Sequence, residues 1–270
     1  MKISLVTCSY QQGKFLDATI RSVLDQQYSD LDYIIIDGGS KDESVDVIKR
    51  HQPLLSYWES EKDRGQTNAL NKGFNRATGD ILGWLCSDDL LLPDALNWVA
   101  SYFEAHPEVD MIYGNALWID AAGDYIRPKK EMSWNKFVFL YDHNYIPQPA
   151  TFWRRSLHEK VGGLDESWNL GMDSDLWLRF ARHTKPHYVN KYLACMRDYP
   201  EQKTRSLKPA GRNEDMQLRS RELPSLFAWP QRPLTLSARL ARIAIKFCHG
   251  GYRAHPPENC VSALSRYRIG

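Results

Sequence analysis

Apolar residues along the first 110 positions alternate between short β-branched runs and stretches where they recur every three or four residues. The short runs predict strands, and the recurring stripes predict amphipathic helices. The predicted strands are 2–7, 31–36, 56–60 and 81–86, and the predicted helices are 15–28, 42–51, 66–77 and 93–105. Strands that alternate with helices in this way build parallel βαβ units. The sequence therefore predicts an α/β fold with a doubly wound, mostly parallel sheet and helices on both faces.

The pattern changes after residue 110. Two strand-like stretches, 111–119 and 125–128, flank a turn and predict a β-hairpin. The aromatic-rich stretch 134–141 fits either a helix or a mobile segment. The rest of this half predicts a strand at 148–153, helices at 155–161 and 175–183, and an extended segment at 187–196.

Two adjacent carboxylates, Asp88 and Asp89, follow the apolar strand 81–86, and Pro93 then opens the next helix. Open α/β sheets bind ligands at the carboxyl ends of their strands. Like charges this close stay ionised together most easily with a divalent cation between them, and oxygen ligands suit Mg²⁺ or Mn²⁺. Taken alone, the pair fits equally well an exposed acidic turn at the positive end of a helix.

Composition is ordinary for a soluble globular protein, with 43% apolar and 25% charged residues among 270. No stretch approaches the roughly 18 apolar residues of a membrane span, and the first residues lack the pattern of a signal peptide. The five cysteines show no close pairing, which indicates a reducing compartment. We therefore expect a cytoplasmic protein.

Charge is uneven along the chain: from Arg205 onward there are 12 Lys and Arg against 4 Asp and Glu. Within 234–248 an apolar stripe recurs at helical spacing with basic residues beside it. The stripe is Leu236, Leu240, Ile243 and Phe247, and the basic residues are Arg239, Arg242 and Lys246. This pattern is typical of a helix lying on an anionic membrane, and it also fits a helix that packs on the rest of the protein. The basic segment has no aromatic platform or known module for nucleic acid, so we expect no such partner.

Six short segments occur in a set order along the chain. They are Thr7-Cys8-Ser9-Tyr10, Asp37-Gly38-Gly39-Ser40, Asp63-Arg64-Gly65-Gln66, Ser87-Asp88-Asp89, Gln148-Pro149-Ala150-Thr151-Phe152 and Gly171-Met172-Asp173-Ser174-Asp175. Together these segments resemble the family 2 glycosyltransferases, inverting enzymes with the GT-A fold that build bacterial surface polysaccharides. The resemblance covers roughly residues 1–205.

The resemblance implies a GT-A domain over 1–205, with a nucleotide-binding half at 1–110 and an acceptor half at 111–205, before a basic, partly helical extension at 206–270. It also implies a metal-dependent enzyme that moves a sugar from a nucleotide-diphosphate donor, a UDP-sugar, to a hydroxyl of a glycan or lipid-linked saccharide. Such an acceptor would make a peripheral position at the inner face of the cell membrane useful.

Roles follow from the resemblance residue by residue. Donor-nucleotide binding is expected from Thr7, Tyr10, Asp37, Arg64 and Asp88. The divalent cation, Mn²⁺ or Mg²⁺, is expected on Asp89 and Asp88. Standing alone, Gly38 and Gly39 fit an ordinary turn, and Arg64 fits a solvated loop arginine.

Asp173 is the general base that the resemblance implies, taking the proton of the acceptor hydroxyl. Asp175 competes for this role, and Asp173 also fits the cap of a helix. One position departs from the family: Tyr199 stands where relatives often have a histidine that reaches the metal, so the third metal ligand is unassigned. Lys203 and Arg205 fit either diphosphate contacts or a flexible basic loop.

Two other classes of function are weaker. A catalytically inactive GT-A domain that only binds a glycan or partner is disfavoured by the intact Asp88, Asp89 and Asp173. A dinucleotide-dependent oxidoreductase is disfavoured because no G-x-G-x-x-G follows the first strand.

Overall fold

Within the residues that the computed structural model describes, 1–227, 229–253 and 255–269, nine strands form one sheet. The strands are β1 (Ile3–Ser9), β2 (Leu31–Asp37), β3 (Tyr57–Ser60), β4 (Ile81–Trp84), β5 (Leu90–Leu91), β6 (Met111–Ile119), β7 (Tyr125–Lys129), β8 (Thr151–Arg154) and β9 (His187–Arg197). Their order across the sheet is β3-β2-β1-β4-β8-β6-β9-β5. The strand β7 lies outside this order and pairs with β6.

The first half of the chain forms the parallel part of the sheet. β1 pairs in parallel with both β2 and β4, and β2 pairs in parallel with β3. The helices of this half are α1 (Gly13–Leu24), α2 (Ser44–His51), α3 (Gln66–Arg76) and α4 (Ala95–Ala105). The central strands are buried along their length, as their unbroken apolar runs predict. The predicted α/β fold with helices on both faces is confirmed.

One helix of this half begins later than its proline predicts. Leu90 and Leu91 instead form β5, which pairs antiparallel with β9. Asp94 then caps α4 with a left-handed backbone (φ 64°). Pro93 therefore lies before the helix, because the two leucines that precede it pair with β9, a strand from a distant part of the chain.

The second half adds antiparallel strands. β8 pairs antiparallel with β4 and β6, β6 and β7 form the predicted hairpin, and β9 runs parallel to β6. The helices are α5 (Lys136–Tyr141), α6 (Arg155–Val161) and α7 (Met172–Phe180). The aromatic-rich segment is thus helical, and α7 begins three residues earlier than its apolar pattern predicts.

Helices of the basic C-terminal segment pack on this domain. They are α8 (Lys203–Ser206), α9 (Lys208–Glu222), α10 (Pro224–Phe227), α11 (Gln231–Cys248) and α12 (Glu258–Ser262). Leu218 of α9 and Ala238 of α11 are buried in the same cluster as Trp84, Trp153 and Trp177. The division of the chain at residue 205 stays a prediction. None of the helices described is long and apolar enough to cross a bilayer.

Candidate active site

A cleft of about 660 Å³ opens at the carboxyl ends of β1, β2 and β4. Four of the residues expected to act in the site line it: Tyr10, Asp88, Asp89 and Asp173. The cleft lies at the sheet edge where strand topology places ligands. Two distant segments, one after β4 and one at the start of α7, therefore supply carboxylates to the same space.

The carboxylate pair is held in place from behind the cleft. Asp88 Oδ2 accepts a hydrogen bond from the Tyr199 hydroxyl at 2.8 Å, and Asp89 Oδ1 accepts from the Arg197 amide at 3.0 Å. The Arg197 side chain is fully buried, and its Nε donates to the Asp88 carbonyl at 2.8 Å. Thr19 of α1 donates to the Asp89 carbonyl at 2.8 Å. The pair is thus fixed by contacts from α1 and from the end of β9 with the residues just after it.

Electrostatics favour a cation between these carboxylates. Burial raises the pKa of Asp88, and burial together with the charge of Asp88 raises the pKa of Asp89 well above its usual range. A bound divalent cation would remove both penalties at once. The ligand atoms of Asp88, Asp89 and Cys86 lie within 4.8 Å of one another. The group fits a divalent cation, with the two hard carboxylates as its natural ligands.

Cys86 is a member of this group that sequence reasoning missed. The sequence predicts that Cys86 ends a buried strand, but β4 ends at Trp84 and Cys86 borders the cleft. A hydrogen bond to Cys8 and burial raise the pKa of Cys86 well above its usual range, so the side chain is a thiol. A lone cysteine in an apolar run carries no sequence signal for such a position.

Tyr199 occupies the position where the family resemblance expects a metal-binding histidine. Its hydroxyl contacts Asp88, so position 199 lies beside the carboxylate pair, and we predict that an imidazole there supplies a further ligand to the cation. We expect Tyr199→His to tighten Mn²⁺ binding by about tenfold, measured by titration of the free Mn²⁺ signal in electron paramagnetic resonance. Tyr199→Phe, which removes the hydroxyl and adds no ligand, is the control. Unchanged or weaker Mn²⁺ binding in the histidine variant would show that position 199 does not reach the cation.

Asp173 lies in the first turn of α7 with its carboxylate at the cleft. Asn144 Nδ2 donates to its Oδ2 at 2.8 Å, and the Ser174 amide donates to its Oδ1 at 2.7 Å. Burial raises the pKa of Asp173 to about 6, although the hydrogen bonds from Ser174 oppose that shift. A carboxylate with a raised pKa near neutrality is suited to take a proton.

Asp175, the competing candidate, is placed differently. Its carboxylate is fully buried and pairs with Arg179 at 2.8 Å and with Arg221 of α9 at 2.5 Å. It does not belong to the residues around the cleft. Two arginines and complete burial make Asp175 a structural ion pair that holds α9 against α7.

The start of α7 explains why Asp173 is free to face the cleft. Gly171, not Asp173, caps the helix. The Glu214 carboxylate of α9 accepts from the amides of Asn169, Leu170 and Gly171, at 3.2, 3.0 and 2.6 Å. A side chain more than forty residues away thus satisfies the amides of the three residues just before α7.

Three residues expected to bind the donor do not line the cleft. Thr7 is buried in the sheet and shares a hydrogen bond with the Tyr33 hydroxyl at 3.1 Å. Arg64 is exposed and pairs with Glu166 at 2.8 Å. The Asp37 carboxylate is buried and accepts four hydrogen bonds, from the Gly39 and Ser40 amides and the Ser40 and Ser60 hydroxyls. Their direct contact with a donor stays a prediction.

Several further polar side chains around the cleft contact one another. Gln66 donates to the Cys86 sulfur at 3.6 Å, and Cys86 donates to Gln148 Oε1 at 3.5 Å. Lys203 Nζ reaches Gln66 Oε1 at 3.3 Å, so it belongs to the cleft. Arg205, by contrast, pairs with Asp198. Sequence reasoning gave no role to Gln66 or Gln148. Both belong to the segments that carry the family resemblance, and that membership could have marked them as site residues.

This mostly parallel sheet, with a carboxylate pair and a further aspartate on a cleft at its strand ends, has the architecture of the GT-A fold. The model of the family described as glycosyl transferase family 2 matches residues 4–161. The chain therefore belongs to glycosyltransferase family 2, as its motifs indicate.

Relatives and solved structures agree with this membership. An uncharacterized glycosyltransferase of Mycobacterium tuberculosis, Rv1514c, is 31% identical over 186 residues, covering 68% of this chain and 70% of the relative. The PGL/p-HBAD biosynthesis glycosyltransferase of Mycobacterium bovis is 27% identical, covering 70% and 73%.

Two solved structures share the fold at low identity. Residues 1–349 of S. aureus TarS, in complex with UDP-GlcNAc, superpose with a TM-score of 0.66 at 15% identity, covering 87% of this chain and 69% of that one. The mannosyltransferase PcManGT of Pyrobaculum calidifontis, in complex with GDP-Man and Mn²⁺, superposes with a TM-score of 0.61 at 15% identity, covering 98% and 84%.

Proposed function

We propose that this enzyme is a metal-dependent, inverting glycosyltransferase that uses a nucleotide-sugar donor, a UDP-sugar, and a hydroxyl of a glycan or lipid-linked saccharide as acceptor. The observation that carries the proposal is the shared cleft of Asp88, Asp89 and Asp173. Its volume, about 660 Å³, lies within the range of small-molecule sites.

Tyr10 and the turn after β2 are the proposed nucleotide site. The Tyr10 side chain is 62% exposed at the cleft, where its ring can stack on a base. Gly38 lies beneath it, and a Cβ there would come within 2.7 Å of an Asp63 carboxylate oxygen. Asp37 fixes this turn through its hydrogen bonds to Gly39 and Ser40. We therefore propose that Asp37 shapes the nucleotide site from behind.

Asp88 and Asp89 are the proposed ligands of Mn²⁺ or Mg²⁺. When bound, such a cation supplies Lewis-acid stabilisation to the leaving diphosphate. The role of the protein is to hold the two carboxylates together although burial opposes their charge, and the contacts from Tyr199 and Arg197 do so. Lys203, at the same cleft, adds a positive charge for the diphosphate.

Asp173 is the proposed general base. As the acceptor oxygen forms its bond to the anomeric carbon, Asp173 takes the hydroxyl proton, and the bond from that carbon to the diphosphate oxygen breaks. The nucleoside diphosphate leaves with the electron pair, and the single displacement inverts the anomeric configuration. Asn144 and Ser174 keep the carboxylate oriented toward the cleft.

Surface-polysaccharide synthesis is the proposed setting. One relative is named for a pathway of this kind, the O-antigen biosynthesis protein RfbC of Myxococcus xanthus, which is 29% identical over 187 residues, covering 67% of this chain and 14% of RfbC. The cysteines of the described residues are all free thiols, which suits a reducing cytoplasm.

Thermal stability with a panel of nucleotide sugars tests the proposal. A donor at about 100 times its dissociation constant stabilises a protein by about 2.7 kcal/mol, which we expect to raise the unfolding temperature by roughly 5 °C or more. The shift should require Mn²⁺ and be largest for a UDP-sugar. An absence of any shift with UDP- and GDP-sugars at millimolar concentration would contradict the proposal. If a nucleotide sugar stabilises the protein but no UDP is released in the presence of any saccharide acceptor, the result would support the inactive alternative instead.

A further inference from the structure

We propose that α11 docks the enzyme on an anionic lipid bilayer through an apolar stripe on its outward face. This outer stripe consists of Leu236, Leu240, Ile243 and Phe247. The inference rests on the proposed function only for the reason why docking would be useful, which is a lipid-linked acceptor. The docking surface itself is argued from the exposure and charge of α11. The bilayer would replace water over side chains that the fold leaves uncovered.

Two opposite faces of α11 are apolar. The inner face, formed by Leu234, Ala238, Ala241 and Ile245, packs against the core of the domain. The outer stripe lies on the other side of the helix and is exposed, with 42% to 71% of each residue accessible to solvent. A helix that only covered the domain would be polar on its outward face. The second apolar face therefore needs an occupant from outside the chain.

Aromatic residues extend the exposed apolar surface at both ends of the helix. Trp229, two residues before α11, is 65% exposed, and Tyr252 follows the helix with similar exposure. Tryptophan and tyrosine are the side chains enriched where a membrane meets water. Large apolar side chains that recur in exposed positions along one helix face mark an interaction site.

Charge along the helix identifies a bilayer as the occupant. The segment Gln231–Cys248 carries four basic side chains and no acidic one. Arg232 and Arg239 are exposed along one edge of the outer stripe, where they can meet lipid phosphates, although Arg239 Nε also lies 3.6 Å from Asp142 Oδ1. A second copy of the chain would bring these like charges together. The complementary partner is therefore an anionic, apolar surface.

The other two basic residues of α11 connect the helix to the active site. Arg242 pairs with Asp142, and Lys246 pairs with Glu131 at 3.0 Å, so both fix the helix to the acceptor half. Asp142 lies two residues before Asn144, which holds the carboxylate of Asp173. Docking through the outer stripe would thus hold on the bilayer the helix whose other side contacts the segment that orients the proposed base.

Sedimentation of the full chain with vesicles tests the inference. We expect the protein to bind vesicles with 30% phosphatidylglycerol in phosphatidylcholine far more tightly than pure phosphatidylcholine, and to be released by salt. Leu240→Glu with Phe247→Glu should weaken binding by more than about tenfold, because two anchors are lost and two charges are repelled. Arg232→Gln and Arg239→Gln should each weaken it by roughly fivefold.

The matched control carries Leu54→Glu with Ile126→Glu. These residues are also large, apolar and exposed but lie outside α11, and the variant should bind vesicles like the native chain. Equal loss in both double variants, or no binding by the native chain, would overturn the inference. A concentration-dependent dimer in analytical ultracentrifugation, lost in the α11 variant, would also overturn it and assign the stripe to self-association.

Donor binding separates this inference from the proposed function. Both double variants should keep the Mn²⁺-dependent stabilisation by a nucleotide sugar, because neither changes a residue at the cleft. Kept stabilisation with lost vesicle binding supports membrane docking. Kept stabilisation in a native chain that ignores vesicles would overturn the docking inference and leave the glycosyltransferase assignment intact.

Discussion

Asp88→Asn is expected to abolish the Mn²⁺-dependent binding of nucleotide diphosphates. The substitution keeps the shape of the side chain and an oxygen that can accept from the Tyr199 hydroxyl, but it removes one of the two negative charges. Changes in residues that only support metal ligands cost 10- to 100-fold in affinity. Loss of a ligand charge should therefore weaken Mn²⁺ binding by at least about 100-fold and remove turnover with it.

Calorimetric titration of Mn²⁺ and of UDP, each alone and together, measures this effect. Asp89→Asn should have the same consequence, since it keeps the acceptor for the Arg197 amide and loses the second charge. The exposed Asp46 of α2 provides the control, because Asp46→Asn makes the same chemical change far from the cleft. Both site variants should fold normally, since removal of a buried like charge relieves repulsion. Unchanged Mn²⁺ isotherms in both would remove the acidic pair from the metal site.

The parallel half of the fold could be predicted from the sequence because its signals are local. Each strand is a continuous apolar run and each helix an amphipathic stripe, so the bounds of α3 or β2 differ from expectation by a residue. Non-local contacts decide the rest. β5 exists because β9 supplies its partner, and α7 begins at Met172 because Glu214 satisfies the amides before it.

The residues of the candidate site could also be predicted where the signal is local, and could not where it depends on distant contacts. Position at the end of a strand places Asp88 and Asp89 on the cleft, and the family motif adds Asp173. The same rule does not reveal that the hydrogen-bonding capacity of Asp37 is already used by Ser40 of its own turn and by Ser60 of β3. Nor can it find Asn144, whose contact with Asp173 depends on how α5 and its loop fold back.

The C-terminal helix shows the limit of periodicity. Residues 236, 240, 243 and 247 are apolar at helical spacing, but a stripe alone does not tell whether it faces the core or solvent. The structure shows that a second stripe, with the smaller Ala238 and Ala241 at its centre, takes the core. Small side chains allow close approach to the domain, so the bulky stripe is left outside.

Asp173→Asn is expected to leave donor binding unchanged and to lower turnover by about 10² to 10⁴-fold, the usual contribution of a general base. Native activity should depend on pH in a defined sense. Because burial raises the pKa of Asp173 to about 6, the carboxylate is protonated and inactive below this pH. Activity should therefore rise with pH through about 6 and then level off. The residual activity of the asparagine variant should lack this rise.

Asp215→Asn is the informative companion, because the negative charge of Asp215 is one of the causes that raise the pKa of Asp173. This variant should stay active and shift the acidic limb to lower pH. Thermal unfolding checks that the variant is folded. Because the pKa of Asp173 is raised, its charge lowers the stability of the native protein, and this cost is complete above about pH 6. Asp173→Asn should therefore unfold at an equal or higher temperature than the native protein at pH 8. That advantage should shrink as the pH falls from about 6 and should vanish only below the ordinary pKa of an aspartate, about 3.9, where the side chain is neutral in the unfolded state as well. If Asp173→Asn is as stable and still turns over at the native rate, the base lies elsewhere on the cleft.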